Sequence, residues 1–320
     1  MREKEGASRI SCAKKLIMPI RLAENFRALF YAPYYATEAL GFFEREGVDV
    51  ELLDSAAPGD AISGLRSGII DITWAGPMRV IKARDEKPGS DLVCFCEVVA
   101  RDPFYLVGRS RRPEFRLTDL PSLRFAAVSE VPTPWMCLQH DLRLHGIDPA
   151  KLTRAPDRAM SDNFEALRNG QLDVVQVFEP YVSMALSEGI GDVLLAASER
   201  GPTVYTTFIA TRAAIRRHRD RFAAMTRAIG QMQTWLTSHD AEELASVVAP
   251  FFPGVAGNMV LNSMRRYLRA GIWASTTEVS RPGFLRLADS LRSGGFISRH
   301  ARYEDCVELT SAWETFTRKN

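Results

Sequence analysis

A limited set of side chains in this sequence combines flat rings with a few polar groups at positions suited to holding a small molecule. In the first part of the chain these are Asn25, Phe26, Tyr31, Tyr34, Pro58, Trp74, Ala75 and Gly76, with Ala57 beside them. Further on come Arg101, Thr133, Trp135, Glu179, Tyr181 and Tyr205, with Pro132 and Pro134 flanking Thr133. Rings with sparse polar atoms suit a small planar or partly apolar guest, stacked and then oriented by a few hydrogen bonds. Each of these aromatics serves equally to pack the edge of a sheet, and both readings stand. Glu179, next to Pro180, either complements the dipole of a helix start or accepts hydrogen bonds from an amine. Arg101 pairs either an anionic guest or only Asp102. Trp135 stands at a helix start with free N–H groups or is buried against a sheet.

Signatures of nucleophilic, metal or nucleotide chemistry are missing. There is no GxSxG elbow, Walker A run, HExxH, CxxC or GxGxxG loop. The five histidines, His140, His145, His218, His239 and His300, fall in or beside expected helices. Catalytic groups of open α/β sheets gather instead at strand ends. The five cysteines lack metal-type spacing. Cys94-Phe95-Cys96 lies in an expected strand, where alternate residues share a face, and reads as a pair of ordinary buried thiols. No catalytic residue, metal ligand or cofactor is therefore expected.

The scaffold that must position the ring-bearing set is written twice. Leu65-Arg66-Ser67-Gly68-Ile69-Ile70-Asp71 returns as Leu167-Arg168-Asn169-Gly170-Gln171-Leu172-Asp173, and each copy runs through an apolar stretch to a proline, Pro77 or Pro180. Each copy reads as a helix ended by a left-handed glycine, a short strand, and a proline opening the next helix. Two α/β lobes built alike follow, with the strand ends of both copies as walls of a shared cleft.

Around the first copy the expected order is a strand at Ile20–Ala23, a helix over 34–46, a strand over 48–53, a helix ending at Gly68, a strand over 70–74 and a helix over 77–84. That alternation calls for a parallel sheet covered on both faces. Strand-like runs at 92–99 and 104–107 lead to a second series, with strands at 123–128 and 174–178 and helices at 133–145 and 180–187. From Ala213 the pattern is helical and amphipathic, up to a last helix over 303–316. Residues 18–107 with 203–320 are expected to form one lobe and 108–202 the other, joined by two crossings, with 1–17 a loose lead-in.

At 320 residues, 46% hydrophobic and 25% charged, the chain has the composition of a globular protein with room for two lobes. A formal charge of +2 gives nucleic-acid binding no support. The run Arg212, Arg216, Arg217, Arg219, Arg221 sits on an expected helix and reads as a solvated face. No apolar run approaches the ~20 residues needed to cross a bilayer. The start, Met1-Arg2-Glu3-Lys4-Glu5-Gly6, has the charge of a signal peptide without its apolar centre, so no export signal is expected in the chain as given.

Two segments carry a resemblance. One is 34–51, where Leu40-Gly41-Phe42-Phe43 precedes Gly47-Val48-Asp49-Val50; the other runs from Glu165-Ala166-Leu167-Arg168-Asn169-Gly170 to Val177-Phe178-Glu179-Pro180-Tyr181. Through them the chain resembles the solute-binding proteins of ABC importers in the nitrate/sulfonate/taurine and thiamin-pyrimidine group. The resemblance implies a type II periplasmic-binding-protein fold of two lobes that close around a small ligand and deliver it to a membrane permease. The expected partners are that ligand and an ABC permease, with only peripheral contact with the membrane complex and no nucleic acid. It implies a periplasmic location, and as ligand an aminopyrimidine, another heteroaromatic or a small organic anion. In the pyrimidine-binding branch rings sandwich the ligand and an acid engages its amino group, roles that Tyr34, Trp74 and Glu179 fit. The alternative from the same family is a cytoplasmic, iron-dependent synthase of the thiamin-pyrimidine precursor. Such enzymes rely on a histidine and a cysteine-rich run near iron, for which Cys94-Phe95-Cys96 is the nearest run here.

Overall fold

Strand pairing divides the chain into two five-stranded sheets. The computed structural model describes residues 18–55, 57–310 and 313. Its strands are β1 (Ile20–Ala23), β2 (Val50–Leu53), β3 (Ile72–Ala75), β4 (Leu92–Val99), β5 (Tyr105–Gly108), β6 (Arg124–Ala126), β7 (Thr153–Arg154), β8 (Val174–Val177), β9 (Asp192–Ala196) and β10 (Thr206–Thr211). The first lobe carries the order β2-β1-β3-β10-β4 and the second β7-β6-β8-β5-β9. Pairing is parallel among β1, β2 and β3 and among β6, β7 and β8; β10 and β5 run against their neighbours. Each reversed strand is the one by which the chain enters a sheet after a crossing. The lead-in, with Cys12, and the tail after Thr310, apart from Trp313, lie outside the described residues.

One strand changes lobe relative to expectation. The run 104–107, expected to close the first lobe, pairs with β8 and β9 in the second sheet. The crossings are therefore 100–104 and 201–205. They lie side by side, Thr203 and Val204 donating their N–H groups to Ala100 O and Tyr205 N–H to Val99 O.

The duplicated segment repeats in three dimensions. Gly68 and Gly170 both adopt left-handed φ, 76° and 70°, where a side chain would be strained. In each lobe an arginine of the strand next to the repeat strand, β1 or β6, reads the aspartate that ends the repeat. Arg21 donates from N, Nε and Nη2 to Asp71 and from Nη2 to Gly68 O; Arg124 does the same to Asp173 and Gly170 O. The Arg124 guanidinium holds the Asp173 carboxyl down at about 2.

Other departures have local causes. The expected helix 34–46 is two short ones, Ala32–Ala39 and Phe42–Arg45, because Gly41 between them takes φ 68°. The long helix Arg212–Leu236 is interrupted at His218, whose backbone is not helical. Cys94 and Cys96 do not share a face. Cys96 takes φ 56°, and the β4–β10 register shifts nearby, so Cys94 faces one apolar cluster with Ile209 and Phe284 while Cys96 faces another with Phe95 and Phe222. Both thiols are free and buried. Among the described residues no helix is long and apolar enough to cross a membrane.

Candidate functional site

The carboxyl ends of β1 and β3, the entry to β10 and the start of helix Thr133–Leu144 meet at one crevice between the lobes. From the first lobe it is lined by Asn25, Phe26, Tyr31, Gly76, Met78, Arg79 and Tyr205, from the second by Val131, Pro132 and Thr133. Its free volume is about 20 Å³, room for about one water. The lobes are closed on each other here: a Cβ added to Gly76 would lie 3.3 Å from Tyr205 O and 4.0 Å from Thr133 Oγ1.

Arg79 dominates the electrostatics. Its half-buried guanidinium forms no ion pair with any carboxylate of the described residues, and burial lowers its pKa while Tyr31, Tyr205 and Asp60 act on it through space to raise it. Helix Met78–Glu86 starts beside it and helix Thr133–Leu144 starts across the crevice. Both present free N–H groups and the positive ends of their dipoles. Tyr31 is fully buried, and desolvation raises its phenol above the ordinary value, so it is a neutral donor. The crevice thus brings together one cation, two helix starts and hydroxyls on a ring-lined floor.

Phe178 joins the lobes beside this crevice. Its ring lies 6.2 Å from Phe26 and 5.4 Å from Phe30 of the first lobe, and 5.2 Å from Phe104 in the first crossing. Beyond it is a more open cavity of about 560 Å³, bounded by Glu24, Arg27, Asp54, Phe178, Glu179 and Phe251 among others. A second link is polar. Arg200, buried in the second lobe, pairs with fully buried Asp102 of the first crossing at 2.7 Å and with Asp141.

Of the residues picked out from the sequence, Asn25, Phe26, Tyr31, Gly76, Thr133 and Tyr205 come together here. Tyr34 and Trp74, expected as two jaws of a ring sandwich, instead stack on each other at 4.6 Å and 10°, each 1% exposed, with no slot between them. Trp74 points into the first-lobe core because neighbouring residues of a strand face opposite sides, and Ala75 faces the other core cluster. Glu179 is fully buried and its carboxylate is already engaged. Oε1 accepts from Arg266 Nε at 2.6 Å and from Ser183 Oγ, and Oε2 accepts from Ser183 N–H.

Trp135 packs inside the second lobe, 5.9 Å from Phe125, with the Arg154 guanidinium over its ring. Tyr181 lies against Phe164. Arg101 donates to Ser198 O at the crossings, and Pro58 stands half-buried in the 57–60 loop without lining the crevice. Arg79 was absent from the expected set. Its signal was present: a lone cation in the first helical turn after Gly76-Pro77, at the carboxyl end of a repeat strand. The iron site of the alternative reading does not fit these residues. The two thiols face different cores, and among the described residues no three His, Cys, Asp or Glu side chains converge as a metal site.

Two α/β lobes, two adjacent crossings and a crevice closed between them define the periplasmic-binding-protein fold. The chain belongs to the NMT1/THI5-like family, whose model matches residues 30–243. It is 25% identical over 310 residues to YtlA of Bacillus subtilis, a protein provisionally named as a binding protein, across 96% of this chain and 92% of that one. The periplasmic aliphatic sulphonate binding protein SsuA from Escherichia coli shares the fold with a TM-score of 0.74 at 16% identity, covering 90% of this chain and 97% of that one. So does the ligand-binding component of an ABC-type import system from Staphylococcus aureus, with a TM-score of 0.69 at 15% identity over 93% of this chain and 98% of that one.

Proposed function

We propose that the chain is the solute-binding component of an ABC importer, acting on the periplasmic side of the membrane, and that its ligand is a small organic anion. The lobes hinge at the two crossings, 100–104 and 201–205, and the ligand stabilises the closed form by touching both. The observation that carries this reading is Arg79, a half-buried guanidinium in the first turn of its own helix, without a carboxylate partner among the described residues and facing the start of helix Thr133–Leu144 across the closing crevice. An anion bound there supplies the missing partner in a site shielded from water, where charged hydrogen bonds are strongest. The likeness in fold to a sulphonate-binding protein supports an anionic head group. The aminopyrimidine reading loses its acid, since Glu179 already serves Arg266 and Ser183.

The test is calorimetric titration of the full chain with methanesulfonate, acetate and an aminopyrimidine, on wild type and Arg79→Ala. Binding of one of the anions, lost with Arg79, supports the reading. Binding of the aminopyrimidine alone, unaffected by Arg79→Ala, overturns it.

A further inference from the structure

We propose that Asn25 is a positioning residue which, together with the bare α-carbon of Gly59, seats the Arg79 guanidinium in the crevice; the inference rests on Arg79 being the anion's partner. Asn25 is buried at the end of β1. Its amide bridges two elements: Oδ1 accepts from Gly59 N–H at 3.1 Å, and Nδ2 donates to Tyr31 OH at 3.3 Å. The Gly59 N–H can only donate, so the amide oxygen must face it and the amide nitrogen is left for the phenol. Asn25 thereby fixes the loop before helix Asp60–Ser67 and the ring of Tyr31 against one another.

Gly59 in turn makes the seat. Its φ is 99°, and a Cβ added there would overlap the Arg79 guanidinium, which lies directly over the α-carbon. Asp60 ties down the same loop by accepting from Ala57 N–H at 3.0 Å and attracts Arg79 through space. A guanidinium held over a glycine on a pinned loop is preorganised, so little conformational freedom is lost when an anion arrives. Without the Asn25 amide the loop keeps only its internal tie to Asp60 and loses its anchor to β1, and Arg79 loses its fixed seat, although Asn25 need never touch the ligand.

The readout is the rate of phenylglyoxal labelling of Arg79 in the full chain, quantified by peptide mass spectrometry with exposed Arg112 as reference and buried Arg200 as the fold control. Asn25→Ala and Gly59→Ala should label Arg79 several-fold faster than wild type, with Arg112 and Arg200 unchanged. Asn25→Asp, which keeps an acceptor for Gly59 N–H, should restore the slow rate; a merely structural role would not follow this pattern. An unchanged Arg79 rate in Asn25→Ala with Arg200 still protected overturns the proposal. Should Arg200 also become reactive in Asn25→Ala, Gly59→Ala decides, and an unchanged Arg79 rate there overturns it equally. Methanesulfonate protection of wild-type Arg79 is measured in parallel: its failure counts against the anion reading, whereas the variant rates report on the seat without any ligand.

Discussion

Glu179 Oε1 lies 2.6 Å from Arg266 Nε, which makes the acid of the duplicated strand a clasp between the second lobe and the C-terminal helices. Arg266 sits on helix Gly257–Ala270, which packs on Leu29–Tyr31, on helix Ala241–Val248 and on helix Tyr181–Ser187 of the second lobe. The next residue, Tyr267, accepts Glu179 N–H on its hydroxyl at 3.0 Å. Burial pushes the Glu179 carboxyl above its ordinary value, while Arg266 and Ser183 pull it down. The acid is therefore committed to holding the lobes rather than gripping a guest.

Glu179→Ala should leave Arg266 without its partner and cost about 3 kcal/mol, since breaking a buried pair strands a charge. Replacing both residues with methionine should recover most of that loss. Urea unfolding of the single and double variants checks this; a single variant as stable as wild type would remove the clasp.

Arg79→Ala should weaken the anionic ligand by about 1.5–3 kcal/mol, the usual worth of a charged hydrogen bond, which is roughly tenfold to a hundredfold in affinity. Because Arg79 has no ion pair to lose among the described residues, thermal stability without ligand should stay level or rise. Calorimetry with and without ligand separates the two effects.

Phe178→Ala should loosen the closed form, because one half-buried ring touches Phe26, Phe30 and Phe104. We expect about 2 kcal/mol lost, below the range for a fully buried Phe, and a larger radius of gyration in solution scattering. An unchanged scattering curve would show that Phe178 does not hold the lobes together.

Glu97 predicts a pH dependence. The side chain is buried in β4, one carboxylate oxygen accepts Ser280 N–H at 2.7 Å, and burial raises the group to about 7. A carboxyl raised above its unfolded value of 4.5 contributes stability that is complete below pH 4.5 and is lost as pH rises through 7. At about 1.4 kcal/mol per tenfold step this is about 3 kcal/mol between those limits. Glu97→Gln should flatten that part of the stability profile, measured by denaturation from pH 4.5 to 8. A slope identical to wild type would refute it.

The duplicated architecture was legible from residues alone. Leu65–Asp71 and Leu167–Asp173 repeat, and their glycines demand the left-handed turns that Gly68 and Gly170 adopt. Strand ends, and hence Asn25, Tyr31, Gly76, Thr133 and Tyr205, follow from hydrophobic patterning, because a parallel sheet puts its ligand-facing loops at one edge. Only the tertiary structure decided which rings reach the crevice. Trp74 is placed by strand alternation, but whether its face meets a guest or Tyr34 depends on how a helix is laid over the sheet. Glu179 found its partner 87 positions along the chain, and Cys96 left the face of Cys94 through a backbone irregularity in the pairing with β10. Periodicity is a local property, whereas ion pairs, ring stacks and bulges are set by segments that meet only after the chain has folded.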